Sequence, residues 1–366
     1  MDHLENKLNK RREDESLRTL KNNNPNLRDF SSNDYLGLAR SAELKRLILD
    51  AYQKEDYPNG STGSRLITGN QDITEQTESF LAQVFNTEST LVFNSGYMAN
   101  MALFSSIPQR GDTIIYDELS HACIKDGCRL SMAKRLPFLH NNLDDLKKKL
   151  AQSEGQAYVA CESVYSMDGD MAPLLEIATI CKETGARLIV DEAHSTGLWG
   201  KDGSGLINDL MLNEGVFAVV YTFGKGMGIH GAAIATSKIA REFMINFSRP
   251  FIYTTAPSAF ELISIKTAFE FLQTHPSLQL NIQSKIELFN ELQPGHSSPS
   301  AIKSFEIGGN RKTRLAAEKL QASGFDVRPI LSPTVKEGTE RLRICLHTFN
   351  TEEEIVLLCD QLKALT

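Results

Sequence analysis

The stretch RLIVDEAH at 187–194, followed by VFAVVYTFGKG at 216–226, decides the fold. In both stretches a short apolar run rich in valine and isoleucine leads directly into charged or polar residues. Earlier runs of the same character are LVF at 91–93, TII at 113–115 and YVAC at 158–161. Stretches with helical periodicity, such as those over 73–85 and 97–107, lie between the runs. This alternation predicts an α/β fold with a mainly parallel sheet flanked by helices.

The alternation stops near residue 255, where we predict a domain boundary. A long helical stretch follows, then the polar loop QPGHSSPSA at 293–301 and strand-like runs around SFEI and RLRICL. The TEEE sequence from Thr351 predicts a last helix with a capping box whose partner is Glu354. We therefore predict an N-terminal helical arm over 1–30, a large domain over 31–255 and a smaller α+β domain over 256–366.

The composition excludes several classes of protein. The chain has 366 residues, of which 41% are hydrophobic and 23% charged, and its formal net charge is −7. This charge gives no overall attraction to nucleic acid or to anionic lipid. The charged N-terminus does not resemble a signal peptide, and no apolar run approaches the roughly 20 residues that span a bilayer. We expect a cytoplasmic protein with neither nucleic acid nor a membrane as partner.

The cysteines give no sign of a metal site. Six are present, and none forms the C-x-x-C pair of a zinc ribbon or a redox dithiol. We predict buried, reduced thiols and no bound metal.

Two strand ends carry residues suited to one cofactor. Asp191 follows RLIV, and Lys225 lies between two glycines just after VFAVVYT. Ligands of an open parallel sheet bind beyond the carboxyl ends of its strands, so the two side chains are expected to face one crevice. A lysine amine that forms a Schiff base and a carboxylate that keeps a pyridine nitrogen protonated are what pyridoxal 5'-phosphate (PLP) requires.

The turn after LVF, at Asn94 to Tyr97, is a candidate phosphate seat. Gly96 allows close approach of the backbone, and the N-terminus of the helix that follows presents free amide groups to an anion. Such turns are common, so this one supports PLP only together with Asp191 and Lys225.

Two other classes of function remain as alternatives. The DEAH sequence at 191–194 is also that of nucleic-acid helicases, but these need a G-x-x-x-x-G-K-[ST] loop, and the chain has none. A regulator or binding module with this fold and no activity is the other alternative; retention of the lysine, the aspartate and His194 argues against it.

Seven motifs occur in order along the chain and carry a family resemblance. The chain resembles the α-oxoamine synthases, which are PLP-dependent transferases of fold type I. The motifs are FSSNDYLGL at 30–38, NSGYMAN at 94–100, LSHA at 119–122, SMDGD at 166–170, VDEAH at 190–194, TFGKG at 222–226 and GTERLR at 338–343.

The resemblance implies a role for each residue that matches a motif. Lys225 carries PLP as a Schiff base, Asp191 bonds the ring nitrogen, and His194 bonds the ring hydroxyl oxygen. His121 stacks on the ring, although a helix-capping role is the alternative, and Ser166 lies at the ring edge. The phosphate contacts are Gly96, Tyr97, Thr222 and, from a second subunit, Thr255.

Substrate contacts and substrates follow from the same resemblance. Arg343 is expected to bind the carboxylate of an amino acid, Asn33 to contact substrate, and Arg18 to reach the acyl group. The family implies a homodimer with shared active sites that joins an amino acid to an acyl thioester with loss of carbon dioxide. The TFGKG and SSNDYLGL sequences favour the members in biotin synthesis, which use L-alanine and a pimeloyl thioester of CoA or of an acyl carrier protein. Members that use glycine or serine with another acyl-CoA are the alternative.

Overall fold

The computed structural model of the chain describes residues 2–20, 22 and 24–365. Met1, Lys21 and Asn23 of the predicted arm, and Thr366 of the predicted C-terminal domain, lie outside the described residues. The helices are α1 (His3–Glu13), α2 (Ala42–Tyr52), α3 (Asp72–Val84), α4 (Gly96–Ser106), α5 (Ala122–Leu130), α6 (Leu143–Leu150), α7 (Leu174–Thr184), α8 (Leu206–Asp209), α9 (Lys238–Phe247), α10 (Arg249–Ile252), α11 (Ala259–Thr274), α12 (Ser277–Leu292), α13 (Asn310–Ala322) and α14 (Glu352–Lys363). The strands are β1 (Arg28–Asp29), β2 (Ser89–Phe93), β3 (Thr113–Asp117), β4 (Lys134–Phe138), β5 (Ala157–Glu162), β6 (Arg187–Asp191), β7 (Ala218–Thr222), β8 (Ala232–Thr236), β9 (Ile302–Glu306), β10 (Phe325–Asp326), β11 (Arg328–Ile330) and β12 (Arg341–Cys345).

The chain divides into two compact units. The central unit comprises 36–165 and 171–279, and the terminal unit comprises the described residues within 1–35, 166–170 and 280–366. These limits differ from the predicted ones at 30 and 255, because α11 packs on α2 and α3 and so belongs to the central unit. The three-part domain division stays a prediction.

The central unit is built on one sheet of the described chain, with strand order β2-β8-β7-β6-β5-β3-β4. Strands β7, β6, β5, β3 and β4 pair in parallel, and β8 runs antiparallel to both β7 and β2. The predicted α/β fold with a mainly parallel sheet is confirmed. The runs LVF, TII, YVAC and RLIV lie within strands, and β7 begins at Ala218, two residues into VFAVV.

Strands β4 and β8 were not predicted from the sequence. The β4 sequence, KRLPF, carries two charges and a proline, which an edge strand tolerates because one of its sides lacks a partner strand. The β8 sequence, AAIAT, is rich in alanine and therefore has more helical than strand character. Tertiary packing overrides that local preference, since every residue of β8 is buried.

The helices that follow strands bring their N-termini to the polar end of the sheet. Helix α4 begins at Gly96, where Ser95 caps it by accepting the Met98 amide at 3.3 Å. The buried side chains of α4 and α5 pack with the sheet in a single apolar cluster that includes Phe104, Ile124 and Val220. Burial of this cluster fixes the first turns of both helices.

The terminal unit contains an antiparallel sheet with the order β11-β12-β9. Strand β12, RLRIC, is buried throughout, and Arg343 in it pairs with Arg328 of β11 and Ser304 of β9. Helix α14 begins after Thr351, and its capping box with Glu354 is confirmed. Of the predicted N-terminal arm, His3–Glu13 is helical.

Across the described residues, none of the helices combines the length and the apolar character that a membrane-spanning helix requires.

Candidate active site

Lys225 lies three residues beyond the end of β7 and is half-buried. Its Nζ is 2.9 Å from Nε2 of His194, which follows β6 and is 4% exposed. The two side chains predicted from the TFGKG and VDEAH motifs therefore meet at the carboxyl ends of neighbouring parallel strands.

Asp191, the last residue of β6, is 5% exposed, and two donors fix its carboxylate. The Asn100 side chain donates to Oδ2 at 2.7 Å, and the Ala193 amide donates to Oδ1 at 2.8 Å. Asn100 also donates to the carbonyl oxygen of Gly96 at 3.1 Å, one turn earlier in α4. The asparagine thus links the predicted carboxylate to the predicted phosphate seat.

Gly96 and Thr222 form a tight contact at that seat. A Cβ atom built on Gly96 would collide with the Thr222 hydroxyl, so only glycine fits here. Nearby, the Asn94 side chain donates to the main-chain oxygen of Thr255 at 3.0 Å. Gly96 and Thr222, predicted from two separate motifs to hold a phosphate, thus lie together within the central unit. Thr255, predicted to act from a second subunit, lies beside Asn94 of its own chain.

The glycines beside Lys225 have different reasons for being glycine. A Cβ on Gly226 would collide with the carbonyl oxygen of Thr196, so this glycine permits close packing of two backbone segments. A Cβ on Gly224 would make only an ordinary contact with the carbonyl oxygen of Ile229, at 3.5 Å. The packing beside Gly224 is therefore looser, which suits a site that admits a bulky ligand.

His121 has the helix-capping role that the sequence left open as the alternative to ring stacking. It is the N-cap of α5, where Nδ1 accepts the Cys123 amide at 3.3 Å. Burial, followed by the charge of Lys225, lowers the pKa of His121, while Asp191 acts in the opposite direction. The imidazole is therefore neutral at pH 7, and its stacking on a cofactor ring stays a prediction.

The main chain of His121 is held by a carboxyl group that the sequence analysis overlooked. Its amide donates to Oε1 of Glu162 at 2.5 Å, and Glu162 is 3% exposed at the end of β5. Burial, followed by the negative charge of Asp191, raises the pKa of Glu162 to about 8.

Glu192 differs from Asp191, its neighbour in sequence. Its carboxylate accepts the amides of Leu206 and Ile207, both at 2.8 Å, and the Ser195 hydroxyl at 2.8 Å. Burial raises the pKa of Glu192 to about 7. This side chain fixes the start of α8 rather than contributing to the candidate site.

In the terminal unit, Arg343 is 8% exposed and its guanidinium is held at several points. Nε donates to the Ser166 carbonyl oxygen at 2.5 Å, Nη2 donates to Asn33 at 2.9 Å, and Nη1 donates to the Cys345 sulfur at 2.9 Å. Tyr35 also donates to the Asn33 oxygen, at 3.0 Å. Three predicted residues, Arg343, Asn33 and Ser166, are therefore in direct contact.

The remaining predicted residues lie at exposed positions. Arg18 donates to the Thr334 hydroxyl at 2.9 Å within the terminal unit. Tyr97 is 45% exposed, and its hydroxyl donates to Asp126 at 2.5 Å. The hydroxyl is therefore engaged, and the group of Tyr97 that could contact a phosphate is its main-chain amide in the first turn of α4. Thr255 is exposed as well.

Comparison with known proteins identifies the family. Residues 25–362 match the family described as aminotransferase class I and II. The chain belongs to this family. It is 41% identical over 357 residues to the 8-amino-7-oxononanoate synthase of Emericella nidulans, an alignment that covers 89% of this chain and 86% of the relative.

Solved structures of family members agree with this assignment. A serine palmitoyltransferase, solved with PLP as its internal aldimine, superposes with a TM-score of 0.86 at 27% identity, covering 93% of this chain and 87% of the other. The 8-amino-7-oxononanoate synthase of Francisella tularensis superposes with a TM-score of 0.79 at 29% identity, covering 93% and 98%. The predicted fold and the resemblance to the α-oxoamine synthases are confirmed.

The central unit fits the cofactor of this family on its own geometry. Lys225 supplies an amine and Asp191 a fixed carboxylate, while the amides at the start of α4 supply a seat for phosphate. The buried Oδ1 atoms of Asn94 and Asn100 have no hydrogen-bond partner. Such atoms are rare inside proteins and indicate a site completed by a ligand or by water.

Asn100 and Glu162 are the site residues that sequence reasoning missed. Glu162 follows YVAC as Asp191 follows RLIV, so the rule that identified the aspartate also applies to the glutamate. Asn100 lies four residues after Gly96, which places both on one face of a helix. Both signals were present in motifs or strand ends already singled out.

Proposed function

We propose that this chain is a PLP-dependent enzyme that condenses L-alanine with a pimeloyl thioester to form 8-amino-7-oxononanoate for biotin synthesis. The observation that carries the proposal is the assembly of Lys225, His194 and the Asn100-fixed Asp191 at the ends of two neighbouring strands. The relative from Emericella nidulans supports the choice of substrate, because it has this activity in its name and aligns with most of the chain.

The residues of the central unit hold the cofactor. Asp191, with donors on both its oxygens, would bond the pyridine nitrogen, and His194 would bond the ring hydroxyl. As the family resemblance implies, His121 would cover the ring face and Ser166 would lie at the ring edge. The amides of Gly96 and Tyr97 and the hydroxyl of Thr222 bind the phosphate. When bound, PLP withdraws electrons from the α-carbon of the amino acid.

The side chains also bind the substrates and move protons. The guanidinium of Arg343, pre-oriented by Ser166 and Asn33, binds the amino acid carboxylate. Nζ of Lys225 removes the α-proton. A carbon–carbon bond forms between the α-carbon and the acyl carbonyl as the bond to the thiol breaks, and the carboxylate then departs as carbon dioxide. A proton returns to the α-carbon in its place. Arg18, held by Thr334, faces the acyl group.

We further propose a cytoplasmic homodimer in which Thr255 of one subunit reaches the phosphate of the other. CoA and an acyl carrier protein are the two candidate carriers of the acyl group.

The first experiment is an absorbance spectrum of the purified protein with PLP, followed by thiol-release assays. Each of L-alanine, glycine and L-serine is combined with pimeloyl-CoA and, separately, with palmitoyl-CoA. We expect a visible band and rapid thiol release for L-alanine with pimeloyl-CoA. Preference for serine with palmitoyl-CoA would keep the cofactor assignment and favour the activity of the structural neighbour with 27% identity. No visible band would refute the whole proposal.

A further inference from the structure

Two buried carboxyl groups share the floor of the candidate site. Glu162 ends β5 and Asp191 ends β6, and the two residues are Cα partners in the parallel register. Partner positions of neighbouring strands direct their side chains to the same face of the sheet. Both side chains are almost completely buried, at 3% and 5% exposure.

Both carboxyl groups cannot be ionised at neutral pH without a large cost, because neither charge is solvated and the charges repel each other. Asp191 receives hydrogen bonds on both oxygens, from Asn100 and Ala193. Glu162 receives the His121 amide on Oε1. The carboxyl group with more donors keeps the negative charge, so the proton resides on Glu162.

Several other charged and titratable groups, on different elements of the central unit, interact with Glu162. Lys225, on the loop after β7, acts to keep Glu162 ionised, whereas the acidic groups act against ionisation. The groups that interact electrostatically with Glu162 are Asp117, His121, Cys123, Cys161, Tyr165, Asp191 and Lys225.

We propose that Glu162 is a positioning residue of the cofactor site: its acid group anchors the main chain of His121 and, by holding a proton, leaves Asp191 as the ionised carboxylate. The inference rests on the proposed function, because His121 and Asp191 are the residues proposed to hold PLP. Glu162 lies outside the seven motifs that carry the family resemblance, and in this role it sets the charge of the site.

The charge of Glu162 changes at alkaline pH. Above the pKa of about 8, Glu162 ionises and adds a second negative charge near Lys225. A negative charge stabilises positively charged neighbours, so the protonated form of the lysine–cofactor linkage persists to higher pH than it would without Glu162. A neutral residue of the same shape removes this stabilisation.

The test compares Glu162→Gln and Glu162→Leu with the parent enzyme, using Glu176→Gln on the exposed face of α7 as the matched control. The readouts are the PLP dissociation constant and the pH titration of the visible band between pH 6 and 10. Glutamine keeps a carbonyl oxygen for the His121 amide but cannot ionise. Leucine removes the acceptor while keeping a similar volume.

We expect Glu162→Gln to bind PLP within about threefold of the parent and to match its visible band below about pH 7, where residue 162 is uncharged in both proteins, with the two titrations separating only above about pH 8. Glu162→Leu should weaken PLP binding by about tenfold or more, since the buried His121 amide loses its acceptor. Glu176→Gln should match the parent in both readouts.

A visible-band titration that is shifted already below about pH 7 in Glu162→Gln would overturn the assignment of the proton, and unchanged PLP affinity in Glu162→Leu would overturn the anchoring of His121. If the leucine variant does not fold, the glutamine variant still tests whether Glu162 holds the proton. In each of these cases the parent protein shows a visible band, so the proposed function stands. A parent protein without a band would refute the proposed function as well.

Discussion

Lys225 and Lys303 are both withdrawn from water, yet their surroundings suit them to different tasks. Lys225 follows a strand, is half-buried and has a histidine nitrogen 2.9 Å from its amine. Lys303 lies within β9 and has no exposed surface. Its Nζ donates to Asn290 and to the Ser298 carbonyl oxygen, both at 2.6 Å, and lies over the ring of Phe289.

The difference shows that a perturbed lysine is not by itself a catalytic one. Burial lowers the pKa of Lys303 to about 7, a value that would suit a nucleophile. Its amine, however, is enclosed by side chains of its own unit and bonded to fixed acceptors. Position at the end of a strand, beside a glycine at which an added Cβ would meet no atom closer than 3.5 Å, is what distinguishes Lys225.

The largest effect is expected from Lys225→Ala, because the amine that carries the cofactor and removes the α-proton is lost. We expect the visible band to disappear and turnover to fall by at least about 10³-fold. Absorbance with PLP and thiol release from pimeloyl-CoA measure the two effects. Lys182→Ala, on an exposed face of α7, is the control and should retain both. If the Lys225→Ala protein kept both the visible band and turnover, Lys225 would not be the catalytic lysine.

The sequence predicted Lys225 and its partners because each lies in a strongly patterned context. Lys225, Asp191 and His194 follow valine- and isoleucine-rich strands, and a parallel sheet places all such ends together. The same physical rule explains why Gly96 and Thr222 meet. The pairing of Arg343 with Asn33, by contrast, joins residues 310 positions apart, and the motif resemblance rather than periodicity indicated them.

What the sequence did not reveal depends on tertiary packing. Lys303 lies in an alternating strand sequence where a lysine is normally exposed, and only the position of α12 determines its burial. The strand β8 is composed mainly of alanine, so its local preference conflicts with its final structure. Local patterns indicate the positions of Asn100 and Glu162, but not their partners Asp191 and His121, which are distant in sequence.

The second largest effect is expected from Asp191→Asn, which removes the charge that lies near Lys225 and has no equivalent beside Lys303. The amide fits the same space, so PLP should remain bound through Lys225. Turnover should fall by about 10²-fold, since a neutral partner does not keep the ring nitrogen protonated. Steady-state kinetics and the visible spectrum test this, with Asp209→Asn at the end of α8 as control. Turnover within threefold of the parent would contradict the role of Asp191.

Arg343 extends the comparison to a third buried cation, one proposed to bind substrate. In Arg343→Lys the positive charge remains, but the planar guanidinium group that Ser166 and Asn33 orient is lost. We expect the KM for L-alanine to rise by about 10- to 100-fold, with the visible band and the KM for pimeloyl-CoA nearly unchanged. Arg328→Lys on the adjacent strand is the control. An equal rise in both KM values would indicate general disruption of the terminal unit.

The smallest effect concerns Lys303, whose proposed role is structural, and it appears in stability rather than in catalysis. The pKa of Lys303 is about 7 in the folded protein and 10.5 for an ordinary lysine, so between these values the unfolded state binds more protons. The free energy of unfolding should therefore rise with pH over this range through Lys303. In Lys303→Met this contribution is absent. Between pH 7 and 9 the free energy of unfolding of the parent should therefore rise by about 1–2 kcal/mol more than that of the variant. Urea unfolding at pH 7, 8 and 9 measures the difference. If the difference in free energy of unfolding between parent and variant stayed constant across this range, Lys303 would not lose a proton on folding. It would then be buried as an ammonium group that donates hydrogen bonds to Asn290 and Ser298.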